Sequence, residues 1–111
     1  MTYTALKAVP EKIRNLEEFE GNSIRGDWVF WLEGGFRVYV VRSYATPILA
    51  ISVNPVYQVI FNKSKYSSTT SRHQNLVQRA LDGMDDLEFC SALEVYDLPR
   101  GDLEGFLSHL A

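Results

Sequence analysis

The sequence predicts a single α+β domain, in which an antiparallel meander of about four strands packs with a central helix and a C-terminal amphipathic helix. Four runs of β-forming residues are separated by glycine, proline and asparagine turn signals, at 28–32, 36–44, 48–53 and 56–61. The apolar spacing then changes to the helical period over about 71–82, where Gly83 is placed to end the helix. A final helical pattern places apolar residues at i, i+3, i+4 and i+7, namely Leu103, Phe106, Leu107 and Leu110.

The length of the chain suits one domain. It has 111 residues, 46% of them hydrophobic, which is enough for a modest core. Within the domain 1–111 we expect an N-terminal helical segment over 1–21, where Pro10 suits a first helical position. A sheet with its helix follows over 22–82, and an acidic extension covers 83–111. Residues 87–98 fit either a strand or a helix, since short apolar runs do not separate the two.

Alternation along the strands predicts the core. In the second run one face looks buried and the other half-polar, because Phe36, Val38 and Val40 alternate with Arg37, Tyr39 and Val41. The third and fourth runs each direct three apolar residues to one side, namely Leu49, Ile51 and Val53, then Tyr57, Val59 and Phe61.

The segment "KYSSTTSRHQNLVQRAL" concentrates hydroxyl groups at the start of the central helix. Ser71 and Gln74 have the spacing of a capping box, in which each side chain bonds a backbone N–H of the first turn. Part of this polar segment therefore has a structural explanation that requires no function.

Other features limit the class of protein. The single cysteine, Cys90, cannot form an internal disulfide, and we expect it to be a small core residue in a reducing cytoplasm. No secretory signal is visible. Residues 43–62 contain no charged side chain, but their polar residues and two prolines exclude a membrane span.

Charge is distributed unevenly along the chain, although the net charge is only −3. Residues 34–81 hold six basic residues and no acid, whereas residues 82–111 hold eight acids and only Arg100. The basic middle segment could bind an anion, such as the phosphates of a nucleic acid, around Lys63, Lys65 and Arg72. Alternatively, it pairs with the acidic C-terminal segment of the same molecule, which the sequence pI of about 5.3 favours.

An enzyme is a further alternative. His73, with Tyr66, Arg72 and the neighbouring hydroxyls, could act as a general acid or base in a small nuclease or toxin-like protein. A Gly-rich phosphate loop, a nucleophile elbow and a metal-ligand cluster are all missing from the sequence, so we expect neither a cofactor nor a metal. Asp85, Asp86 and Glu88 fit a solvated acidic turn better than a divalent-ion site.

Three blocks, "GNSIRG", "VRSYATPIL" and "KYSSTTSRHQNLVQRAL", resemble the recurring blocks of a family of small bacteriophage proteins without assigned function, common in phages of actinobacteria. The resemblance covers about 22–81. Family members often carry a tryptophan at two places where this chain has none, near Leu49 and Ala50 and again near Tyr57 and Phe61. The resemblance implies a phage gene expressed in a bacterial host, and it implies no mechanism.

Together these observations favour a non-enzymatic module that binds a host or phage protein. An acidic, aromatic-rich and charge-polarised chain suits docking to a protein partner, and it also permits self-association. The candidate binding residues are Lys63, Lys65, Tyr66, Arg72, His73 and Arg79, with Arg37 and Arg42 as possible additions on the solvent side of their strand.

Overall fold

The computed structural model describes residues 4–31, 35–53, 58–84 and 92–110. Within these residues the fold is α+β, as the sequence predicts, with a mixed and mostly antiparallel sheet. The strands are β1 (Phe19–Glu20), β2 (Ile24–Trp31), β3 (Phe36–Ser43), β4 (Thr46–Ser52), β5 (Gln58–Asn62) and β6 (Leu93–Val95). The α-helices are α1 (Val9–Arg14), which follows a 3-10 turn (Leu6–Ala8), then α2 (Ser68–Asp82) and α3 (Leu103–Leu107).

The sheet contains the predicted meander but is larger. Its spatial order is β1-β2-β3-β4-β5-β6, and consecutive strands from β1 to β5 pair antiparallel. The prediction of about four strands was therefore too low within the described residues. The two additional strands are only two and three residues long, too short for a periodic signal, and β6 pairs parallel with β5. Residues 87–98 fitted either a strand or a helix by sequence, and the structure shows that 93–95 form a strand.

Strand β3 is buried on both faces over residues 38–41, so the prediction of a half-polar face was wrong for Tyr39 and Val41. Val38, Tyr39, Val40 and Val41 are all fully buried. Tyr39 and Val41 join a cluster with residues of α1 and α2, whereas Val38 and Val40 join a second cluster with residues of α3. A half-polar face must contact solvent. Helices cover both faces of β3 here, so neither face does.

Other predicted core residues lie where expected. Leu49, Ile51, Val59 and Phe61 are buried in the cluster under α1 and α2, and Val53 packs against it. The C-terminal helix closes over the opposite face through Phe106 and Leu107, with Leu110 just beyond it. The predictions for Tyr57, for Cys90 and for the turn at 54–55 lie outside the described residues.

Candidate functional site

The hydroxyl-rich segment begins α2 three residues earlier than predicted. Ser67 is the N-cap, and its Oγ accepts a hydrogen bond from the Thr70 N–H at 3.1 Å. The predicted capping box of Ser71 and Gln74 was therefore wrong. Each of several consecutive Ser and Thr residues could act as the N-cap as far as sequence spacing shows. The path of the chain after β5 places Ser67 in that position.

A buried polar cluster connects α2 to the end of β3. Ser43 Oγ lies 2.7 Å from His73 Nδ1 and 2.9 Å from Thr70 Oγ1. Ser43 is 1% exposed and His73 is 2% exposed. Burial, and secondarily the charge of Arg72, lowers the pKa of His73 below its usual value of 6.5. The cluster holds a neutral imidazole against the sheet.

A second polar network joins the β5–α2 connection to the C-terminal segment. Asn62 Nδ2 donates to Tyr66 Oη at 3.0 Å, and Tyr66 Oη donates to the Leu98 carbonyl at 2.6 Å. Ser64 Oγ accepts from the Leu98 N–H at 2.8 Å. Gln74 Nε2 donates to the carbonyls of Asn62 and Ser64 at 2.7 and 3.0 Å. The bonds to Leu98 join the β5–α2 connection to the segment after β6, and the bonds of Gln74 join the same connection to α2.

The structure does not place all six predicted binding residues at the surface. Tyr66 and His73 are engaged in internal hydrogen bonds, and His73 is buried. Lys63 forms an ion pair with Glu94 at 3.3 Å, which joins the basic middle segment to the acidic C-terminal segment. The remaining three are exposed cations, namely Lys65, Arg72 and Arg79.

The distance between Ser43 Oγ and His73 Nδ1 matches that between a nucleophile and its general base, but the surroundings of the pair do not suit catalysis. A nucleophile must contact the substrate, and Ser43 is buried beneath α2. His109, the other histidine, is exposed, and its Nδ1 donates to the carbonyl oxygens of Gly105 and Phe106. The geometry assigns the pair a structural role.

The described residues contain no group of three His, Cys, Asp or Glu side chains arranged to hold a metal ion. They also contain no helix with the length and apolar character needed to cross a membrane. Asp85, Asp86 and Glu88 lie outside this part of the chain.

An aromatic surface that the sequence analysis did not identify lies at the far end of β2. We call Trp28, Phe30 and Arg37 the aromatic edge. Phe30 is 57% exposed and pairs across the ladder with Arg37. The Arg37 guanidinium lies 5.2 Å from the centroid of the Trp28 ring, within cation–π range. Because residues two apart share a strand face, the run "WVFW" already placed Trp28 and Phe30 together.

The aromatic edge borders an unpaired strand edge. Strand β1 pairs only with Arg25 and Gly26, so no described strand covers β2 from Asp27 to Trp31. The Trp28 N–H points to that open side, where it bonds Glu18 Oε2 at 3.1 Å. Since backbone groups alternate sides along an antiparallel strand, the N–H and C=O of Phe30 also point outward.

A family model matches residues 8–90, which is most of the chain. The protein belongs to DUF8033, a family of unknown function. No curated protein and no solved structure gives a significant match. The DUF8033 region contains the sheet from β1 to β5 together with α1 and α2, and so it includes both the Ser43–His73 cluster and the aromatic edge.

The two elements after the DUF8033 region, β6 and α3, complete the second core cluster. Val95, Leu98 and Phe106 lie beyond residue 90, and they pack against Val38 and Ala50 of the family region. Tyr66 of the family region also donates to the Leu98 carbonyl, and the Leu98 N–H donates to Ser64 Oγ. In this protein the family region and the C-terminal segment therefore share the second core cluster.

Proposed function

We propose that this protein is a small phage-encoded, non-enzymatic module that binds a host or phage protein, and that it receives an extended segment of that partner along the open edge of β2. The phage origin rests on the three sequence blocks and their resemblance to phage proteins. The binding mode rests on the geometry of Phe30, an exposed aromatic residue whose backbone N–H and C=O face outward. Exposed strand edges bind extended peptides by adding a strand.

The side chains of the aromatic edge suit this mode of binding. Trp, Phe and Arg are among the residues enriched at protein interfaces, and Trp28 and Arg37 already stack on each other. An extended segment would form backbone hydrogen bonds with Phe30 while its alternate side chains contact the ring of Phe30. Exposed edges are normally protected by charge or coverage, so an open one beside an exposed Phe is an unusual feature for a free protein.

The test uses the purified protein as bait in a lysate of phage-infected bacterial host, with Phe30→Ala, Phe30→Pro and Tyr96→Ala baits in parallel. Tyr96 is a matched control because it is 59% exposed and lies beyond β6, at the opposite edge of the sheet. Each captured protein is then purified and titrated by calorimetry. Melting temperatures of the four baits establish that all are folded.

We expect Phe30→Ala to lower the affinity for the partner about tenfold or more, as for an interface anchor. Phe30→Pro should lower it further, because proline removes the outward N–H that strand addition uses. Tyr96→Ala should bind as the unmodified protein does. A partner that binds the Phe30→Pro variant as tightly as the unmodified protein would contradict the proposed site.

Nucleic-acid binding is the second candidate function. It is favoured by Lys65, Arg72 and Arg79, which are exposed and form no ion pair with another described residue. Fluorescence anisotropy against labelled single-stranded DNA, duplex DNA and RNA tests it at low and near-physiological salt. If phosphates are the target, binding weakens steeply with salt and is abolished in Lys65→Glu and Arg72→Glu. Unchanged affinity in these variants would exclude this surface.

A further inference from the structure

A cleft of about 340 Å³ opens where the β1–β2 turn lies beside the β3–β4 turn, and we call it the turn cleft. Its lining includes Arg25 of β2, Arg42 of β3 and Tyr44 of the β3–β4 turn. Arg25 and Arg42 are direct cross-strand neighbours, so their side chains leave the same face of the sheet. The turn cleft brings two guanidinium groups and an aromatic ring together, at the end of β2 away from Phe30.

The two positive charges are only partly compensated within the protein. Arg25 Nε lies 4.0 Å from Asp27 Oδ2, and no described carboxylate forms an ion pair with Arg42. The buried Nε of Arg42 also has no hydrogen-bond partner in the described part of the chain. Like charges directly opposite each other destabilise a sheet, and an anion held between them would reverse that effect.

Backbone strain occurs in the same two turns. Ser23 and Tyr44 have φ angles of 75° and 57°, in the left-handed region that non-glycine residues rarely adopt. The Tyr44 N–H donates to the Ser23 carbonyl at 2.7 Å, which fixes one turn against the other. Strained residues of this kind concentrate at ligand sites. Tyr44 is 59% exposed and lines the cleft.

We propose that the turn cleft binds a small phosphorylated ligand of the nucleoside monophosphate class. Arg25 and Arg42 contact the phosphate oxygens, whose geometry suits paired guanidinium groups. The ring of Tyr44 stacks on the base, since an aromatic face accepts any base. The cleft volume lies within the range of small-molecule sites. Glu20 also lines the cleft, and its carboxylate opposes the bound phosphate.

The test is a titration of the isotope-labelled protein by ¹H–¹⁵N NMR, with adenosine 5′-monophosphate, inorganic phosphate and succinate as separate probes. We expect the monophosphate to shift the amides of Ser23, Tyr44 and Ala45 at a lower concentration than inorganic phosphate does. Succinate, a dianion without phosphorus, should bind most weakly. Equal binding of succinate and the monophosphate would overturn the assignment to phosphate, as would shifts confined to α2.

Variants separate the turn cleft from general surface charge. Arg42→Gln and Arg25→Gln should each lower the affinity for the monophosphate about tenfold or more, because each removes charged hydrogen bonds. Glu20→Gln should raise this affinity. Arg37→Gln is the matched control, since Arg37 is an exposed arginine on the opposite face of the same strand as Arg42. An equal loss in Arg37→Gln and Arg42→Gln would overturn the proposal. So would binding of the monophosphate that is unchanged in Arg42→Gln.

Discussion

Ser43 Oγ and His73 Nδ1 lie 2.7 Å apart, although the two residues are 30 positions apart in the sequence. The hydrogen bond joins the last residue of β3 to the second turn of α2, inside the buried layer between sheet and helix. A buried imidazole with its pKa lowered is neutral in the folded protein near pH 7. The pair therefore makes the attachment of α2 sensitive to pH.

We expect stability to fall on acidification because of His73. Its pKa is lowered in the folded state, so between that value and the usual 6.5 the unfolded chain binds more protons. Stability contributed by the neutral His73 is present above about pH 6.5 and is lost as the pH falls through the lowered pKa. Urea unfolding from about pH 7 to 5 should therefore show a decline that His73→Gln reduces.

The exposed His109 supplies the control for this experiment. His109→Gln should leave the pH dependence of unfolding as it is in the unmodified protein, because the side chain lies on the surface beyond α3. If His73→Gln and the unmodified protein lose stability in parallel over this pH range, His73 is not the responsible group.

The helix cap can be located by two serine substitutions. Ser67→Ala should cost about 1 kcal/mol, because the Thr70 N–H loses its acceptor at the start of α2. Ser71→Ala is the matched control, and we expect it to be close to neutral because this side chain is exposed within the helix. Thermal and urea unfolding measure the loss of stability in both variants. A larger loss from Ser71→Ala would restore the capping box that the sequence suggested.

The hydroxyl of Tyr66 attaches the β5–α2 connection to the C-terminal segment. Tyr66→Phe should destabilise the protein by about 1–3 kcal/mol, because the Leu98 carbonyl loses its donor and Asn62 Nδ2 loses an acceptor. Tyr96→Phe removes an exposed hydrogen bond to Glu94 instead and should have little effect. Urea unfolding compares the two, and equal losses would contradict the assignment.

Gly26 lies where β1, β2 and β3 approach closely. A Cβ at this position would lie 2.5 Å from Phe19 Cε1 and 2.7 Å from Tyr39 Oη. Both rings are buried, and the Tyr39 hydroxyl is already bonded to the Glu17 carbonyl at 2.7 Å. Gly26→Ala should therefore cost about 1–3 kcal/mol through overpacking, as measured by thermal unfolding.

Gly83→Ala tests whether a close contact alone produces that loss. A Cβ there would lie 2.5 Å from Arg14 Nε, but Arg14 is exposed and its long side chain can move. We expect this variant to retain nearly full stability. A loss as large as that of Gly26→Ala would mean that steric crowding at Gly26 is not specific to the rigid rings.

Much of the secondary structure could be predicted from local patterns. The alternation in "FRVYVV" and the helical spacing of Leu76, Val77 and Ala80 each depend on neighbours a few residues away, and the structure places them in β3 and α2. The candidate site was predicted less well. The polar segment at the start of α2 identified His73 and Tyr66 as candidate site residues. Their partners Ser43 and Leu98 are 30 and 32 positions away, so the sequence did not indicate these hydrogen bonds.

The sequence by itself determined the α+β class, the order of the main strands and helices, and the polarised charge along the chain, because these depend on residue type and short-range spacing. Only the tertiary structure decided that Ser67 caps α2, that Lys63 pairs with Glu94, and that Arg25 and Arg42 stand side by side. The physical reason is that burial and pairing depend on the register of the sheet and on which helix covers each face. Both are set by contacts between distant parts of the chain.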